Sequence, residues 1–134
     1  MINLLLTTLN IFLFKDIYLV FLGANHNITR ILVKKEGVIM LTGKNRSYLR
    51  GEANSLNPIV HVGKDGITES VIEQLDEALE DHELLKVRIL ESTGRTTRSA
   101  AEELATATGS EVVQVIGGIA VLFRQRDEDS NFKL

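Results

Sequence analysis

Between Ile59 and Phe123, β-branched runs alternate with segments of helical period, and this alternation restricts the fold more than any other feature of the chain. Ile59-Val60-His61-Val62 is bounded by Pro58 and Gly63 and reads as a strand. Ile67, Val71, Leu75, Ala78, Leu79 and His82 then recur at helical spacing, which predicts a long amphipathic helix from about Thr68 to Leu84. Its opposite side carries Glu69, Glu73, Asp76, Glu77 and Glu80. Lys86–Leu90 reads as a second strand, with Val87 and Ile89 on one face and Arg88 on the other. Ser99-Ala100-Ala101-Glu102 has the form of a capping box that opens another helix, and Gly109 closes it. Glu111–Ile116 and Ile119–Phe123 flank Gly117-Gly118, the signature of a hairpin with a primed turn. Ahead of all this, Thr42 is placed to cap a helix running to about Leu56, with Leu49, Ala53 and Leu56 on one face and Asn57-Pro58 as its stop. The order α-β-α-β-α-β-β implies an α/β fold, a small mixed four-stranded sheet packed by helices. Strands joined through helices are expected to pair in parallel with right-handed crossovers, and the last hairpin adds an antiparallel strand.

The 134 residues suffice for one domain with a hydrophobic core. Hydrophobic residues at 44% and charged residues at 25% exclude a disordered or fibrous chain. With no cysteine, disulfide frameworks, thiolate metal sites, iron–sulfur clusters and thiol nucleophiles drop out together, and a reducing cytoplasm is the expected location. The net charge of −3 is unevenly spread: residues 1–39 hold four Lys/Arg against two Asp/Glu, leaving eleven against sixteen for residues 40–134. A polyanionic partner must therefore meet a local basic patch.

Residues 1–22 are strongly apolar, but Lys15 and Asp16 break the run below the roughly 18–20 residues that a spanning helix needs. No cation precedes the apolar stretch, as a secretory signal would require. The codons for Lys35-Glu36-Gly37 can spell a bacterial ribosome-binding sequence a few codons ahead of Met40. Residues 1–39 are accordingly expected to be a misassigned start, residues 40–126 the domain, and residues 127–134 a polar tail. No membrane association is expected.

Gly63-Lys64-Asp65-Gly66 is the candidate site, because it joins a strand end to a helix N-terminus. Glycines permit positive φ and close backbone approach, and the free N–H groups of the helix that follows suit a phosphate. Lys64 adds a cation there, and a GxxG turn between strand and helix is how KH-type domains clamp a nucleic-acid backbone. A plain tight turn would also account for the glycines. Lys44, Arg46 and Arg50 fall on the first helix, with Arg46 and Arg50 four apart on one side. Lys86, Arg88, Arg95, Arg98, Arg124 and Arg126 extend the supply of positive charge, and spacing leaves open which of them converge with Lys64. The acidic side of the second helix should face away from bound RNA. His61 and His82 read as structural, and Tyr48 as either a base-stacking or a core-edge residue. Catalysis and metal binding find no support: GxSxG, Walker A, GxGxxG, HExxH and EF-hand patterns are all absent. No catalytic residue, metal ligand or cofactor is expected.

Leu41-Thr42-Gly43-Lys44, Tyr48-Leu49-Arg50, Asn57-Pro58-Ile59-Val60 and Gly63-Lys64-Asp65-Gly66 stand in order with His82-Glu83-Leu84-Leu85-Lys86-Val87-Arg88, Thr108-Gly109-Ser110, Val113-Gln114-Val115-Ile116-Gly117 and Val121-Leu122-Phe123-Arg124. In these stretches residues 40–126 resemble the YhbY family, small bacterial proteins made of a single CRM RNA-binding domain. The resemblance implies a fold similar to the C-terminal domain of translation initiation factor three. It also implies a non-catalytic protein that binds ribosomal RNA in precursors of the large ribosomal subunit and assists their assembly, with ribosomal proteins as further partners. Gly63, Lys64, Asp65 and Gly66 are then the expected RNA-binding loop, joined by Lys44, Arg46, Arg50, Lys86 and Arg88. The family often carries a basic residue where this chain has Gly118, so no phosphate contact is expected at that position. A monomer is expected. The competing reading is an adaptor that docks a ribosomal protein or assembly factor through the acidic side of the second helix.

Overall fold

The computed structural model describes residues 40–91 and 94–134, so the expected misassigned start at residues 1–39 lies outside the described residues. The elements are α1 (Gly43–Ala53), β1 (Pro58–Val62), α2 (Glu69–His82), β2 (Leu84–Ile89), α3 (Thr97–Thr108), β3 (Glu111–Ile116) and β4 (Ile119–Phe123). This is the expected α-β-α-β-α-β-β order around one four-stranded mixed sheet.

Local chemistry sets the helix ends. Thr42 caps α1 by accepting from the Asn45 N–H at 3.2 Å. The helix stops at Ala53 rather than near Leu56, yet Leu56 still packs against the core from the following loop. Thr68 caps α2, accepting from the Val71 N–H at 3.3 Å. The third helix starts earlier than its capping box suggests. Thr96 is the cap, accepting from the Ser99 N–H at 3.1 Å, which leaves Ser99 inside the first turn. Gly109 ends α3 in the left-handed conformation at φ 63°.

The strand order is β1-β2-β4-β3, with β1 parallel to β2 and the other two pairings antiparallel. One expected neighbour relation is altered: β3 runs with β2 but lies at the sheet edge, because β4 inserts between them. The physical reason lies in the two sequences. Ile119-Ala120-Val121-Leu122-Phe123 is apolar throughout and tolerates burial on both faces, whereas β3 carries Glu111 and Gln114 and keeps water within reach. Both edge strands shift register, β1 between Pro58 and Val60 and β3 between Val112 and Gln114. Pro58 has no N–H to donate and sits at the first position of an edge strand, where that loss is tolerated.

The faces of the sheet are covered unequally. On one, Val60, Val62, Leu85, Val87, Ile89, Ala120 and Leu122 pack against Leu75 and Leu79 of α2 and Ala101 and Leu104 of α3. On the other, Leu84, Val113, Val121 and Phe123 pack against Leu49 and Ala53 of α1, with Phe132 closing the edge. Each fully buried leucine contributes roughly 1.5–3 kcal/mol. Two long helices cover the first face, and the 11-residue α1 leaves part of the second open.

At the end of the sheet where α2 and α3 terminate, buried charge is neutralised internally. Arg124 is 7% exposed and donates to Asp76 and Glu80 of α2, and to the Thr108 carbonyl at the C-terminus of α3. Glu83 is wholly buried at φ 60°, a backbone conformation that non-glycine residues rarely adopt. Its carboxylate accepts from the Arg126 N–H, the Ser130 hydroxyl and the Asn131 N–H at 3.0, 2.6 and 2.7 Å, and from the Arg126 guanidinium at 3.3 Å. Burial alone would push this carboxyl up, but the bonds from Ser130, Arg126 and Asn131 together hold it below its ordinary value. The C-terminal residues are thereby fastened to the domain, and Phe132 sets its ring edge-to-face against Phe123 and Tyr48.

Candidate nucleic-acid interface

Gly63–Gly66 forms a tight turn closed by the Gly66 N–H donating to the Gly63 carbonyl at 3.0 Å. Gly66 sits at φ 71° and needs to be glycine for that reason. Gly63 does not: its φ lies outside the left-handed region, and a Cβ there would meet nothing within 4 Å. Lys64 and Asp65 project into solvent from the two positions between them. The helix N-terminus beyond the loop is separated from it by Ile67 and Thr68. Since the Thr68 side chain satisfies the Val71 N–H, part of the expected supply of free N–H groups is already used.

Residues of β2 point alternately to the two faces. Leu85, Val87 and Ile89 belong to the α2/α3 core, so Lys86 and Arg88 point to the α1 side. Because α1 stops short, they border an open groove of about 420 Å³. Asn54 and Asn57 form one wall and Gln114 and Ile116 of β3 the other, over a floor that includes Pro58, Ile119 and Val121. His61 stands beside Arg88 in the parallel register and is exposed, and one step further Val62 pairs with Ile89, where β1 enters the Gly63–Gly66 turn. Lys64, Arg88 and Lys86 thus follow one another from the edge of the sheet into the groove.

The cations divide into two groups. Lys44, Arg50, Lys64, Lys86 and Arg88 form no ion pair with another described residue. Arg46 is engaged within the fold, donating to the Val112 carbonyl, with Glu111 3.9 Å away, and so ties α1 to β3. Arg124 and Arg126 serve the buried network at the other end of the sheet, Arg95 pairs with Glu103, and Arg98 lies 4.0 Å from Glu102. Arg50 stands one turn before Asn54, which places it near the mouth of the groove. Lys44 is exposed near the start of α1.

The acidic helix does face away: α2 packs on the sheet face opposite Lys86 and Arg88. Its carboxylates are not all turned to solvent, since Asp76 and Glu80 hold Arg124. The two histidines differ from expectation. His61 is exposed because α1 does not reach its end of the sheet, and His82 is exposed because the buried stripe of α2 ends at Leu79. Tyr48 is a core-edge residue, 47% exposed and 6.5 Å from the Phe132 ring. The groove itself has a faint sequence signal in Gln114, a polar residue between Val113 and Val115 of β3, and none in Asn54 or Asn57. Glu83 gives no signal at all, because its burial depends on a tail more than forty residues away.

Among the described residues no group of His, Cys, Asp or Glu side chains could hold a metal ion, and no helix is long and apolar enough to cross a membrane. The chain is similar to several proteins named for RNA binding. The probable RNA-binding protein YqeI of Bacillus subtilis is 40% identical over 95 residues, covering 71% of this chain and 99% of that one. An RNA-binding protein of Haemophilus influenzae is 36% identical over 88 residues, 66% of this chain and 89% of its own length. The solution structure of SAV1595 from Staphylococcus aureus superposes with a TM-score of 0.61 at 42% identity, covering 71% of this chain and 99% of that one. The sequence pattern of the CRS1 / YhbY (CRM) domain matches residues 41–124, from the residue before the α1 cap to the buried Arg124, and the chain belongs to that family.

Proposed function

We propose that this chain binds structured RNA through its phosphate backbone, with the Gly63–Gly66 turn, Lys64, Arg88 and Lys86 as the principal contacts and Arg50 and Lys44 as flanking ones. The observation that carries this reading is the segregation of charge about the sheet. Cations with no ion-pair partner among the described residues follow one another on the α1 side, while the carboxylates of α2 lie on the other side. Phosphate contacts of this kind position an RNA without reading its sequence. The lack of any internal need for glycine at position 63 supports a backbone surface kept bare for close approach. The names of the relatives point the same way, as RNA-binding proteins of bacteria and of the archaeon Methanocaldococcus jannaschii.

The RNA is ribosomal, in precursors of the large subunit, and the protein acts in the cytoplasm as a monomeric assembly factor without catalysis of its own. Docking of a protein partner through α2 is the weaker reading, since Asp76 and Glu80 are committed to Arg124. The test is RNA binding over a salt series with the full chain and its Gly63→Asp/Lys64→Glu variant. A log–log slope of about 0.7–0.9 per phosphate contact, reduced in the variant together with affinity, supports the loop as a contact. Unchanged affinity in the variant refutes it.

A further inference from the structure

The groove beside Lys86 and Arg88 has features that phosphate contact alone does not require. It encloses about 420 Å³, within the range of small-ligand sites. Its walls carry three side-chain amides, Asn54, Asn57 and Gln114, none of which hydrogen-bonds to another described residue. An amide offers both donors and an acceptor, as the edge of a nucleobase does. The floor is apolar, with Pro58, Ile119 and Val121 able to lie against the face of a planar ring. At the rim the Arg88 guanidinium can stack on a base or bind its phosphate, and Lys86 adds a second cation beside it. A basic peptide would find no carboxylate among these residues, whereas a base with its phosphate uses all three kinds of surface at once.

We propose that this groove seats one unpaired nucleobase, splayed out of the RNA whose backbone is held at the Gly63–Gly66 turn. The proposal rests on the RNA-binding reading above and deepens it: the preferred RNA has a bulged or looped-out nucleotide next to a helix. Duplex RNA presents a major groove too narrow for side chains, and recognition concentrates on such unstacked bases. With no aromatic ring among the described residues that line the groove, the base is held by aliphatic contact and amide hydrogen bonds, so discrimination among the bases is modest.

The test measures affinity of the full chain for three RNAs: a hairpin with one bulged uridine, the same hairpin with an abasic bulge, and the same hairpin fully paired. The expected result is about fivefold tighter binding to the uridine bulge than to either of the others. In Gln114→Leu that preference falls toward one. Because Gln114 sits in an edge strand, Asn57→Ala in the loop between α1 and β1 gives the same readout independently of β3. Equal affinity for the three RNAs overturns the base seat while leaving backbone binding intact. A preference that survives both substitutions also overturns it. Failure of the wild-type chain to bind any of the three refutes the RNA-binding reading itself, so the two failures are distinct.

Discussion

Arg88 lies on β2 and Arg124 directly follows the adjacent strand β4, and the two meet opposite fates. Arg124 is buried among Asp76, Glu80 and the Thr108 carbonyl, and its charge is spent within the fold. Arg88 is exposed on the α1 side and has no ion-pair partner among the described residues. The difference reflects a division of the molecule. Where α2 and α3 end and the C-terminal residues return, the buried charges of Arg124 and Glu83 are answered internally and the network holds the architecture together. Along the turn after β1 and the open part of the sheet, Lys64, Lys86 and Arg88 form no ion pair with another described residue. A cation in a sequence therefore says little about binding until its carboxylates have been located.

Several substitutions can break or sharpen this contrast. Arg124→Ala should have the largest effect, about 3 kcal/mol of stability by urea unfolding, because it strands the buried Thr108 carbonyl and takes the partner from the partly buried Asp76 carboxylate. Should it instead weaken RNA binding at full stability, the division of roles would be wrong. Glu83→Gln comes next at about 2 kcal/mol, since an amide cannot accept from all of the Arg126, Ser130 and Asn131 donors. The same residue sets an acid limit. Its folded pKa is held below the ordinary carboxyl value, so its stabilisation is complete above that ordinary value and is lost as pH falls through the lowered one. Thermal unfolding between neutral and acid pH should therefore show a steeper loss in the wild type than in Glu83→Gln.

On the open side the readout moves from stability to affinity. Lys64→Glu should weaken RNA binding about tenfold and lower the salt slope by about one contact, with a change in unfolding free energy within about 0.5 kcal/mol. The smallest effects sharpen the comparison inside the turn. Gly66→Ala should cost about 1 kcal/mol through its positive φ, while Gly63→Ala should leave stability unchanged. Calorimetry on the pair tests whether one glycine serves the chain and the other its ligand. Equal costs would sink that distinction.

Much of this architecture was legible in the residues. The primed hairpin at Gly117-Gly118 is present, with Ile116 opposite Ile119 and only Gly117 at positive φ, as a II′ turn needs. Thr42, Thr68 and Gly109 mark helix ends because capping is a local bargain between a side chain and the nearest backbone groups. Local pattern puts the start of the third helix one turn late because Thr96 and Ser99 are both good caps, and only geometry shows that the Thr96 hydroxyl accepts from the Ser99 N–H. The placement of β4 beside β2 was less visible, although the unbroken apolar run of β4 carried the hint.

Local residue patterns set the order of elements, which faces of the strands are apolar, the turn after β1 and its cation, because each depends on residues within a few positions of one another. Which cations are paired with another described residue is set by the tertiary structure. Whether Arg46, Arg124 or Arg126 meets Val112, Asp76 or Glu83 depends on strand order and on the return of the C-terminal residues, across separations of 43 to 66 positions. It also decided that α1 would leave part of the sheet uncovered, and so where a groove could form. Local preferences act through the chain, whereas charge compensation and concavity act through space, where packing sets the distances.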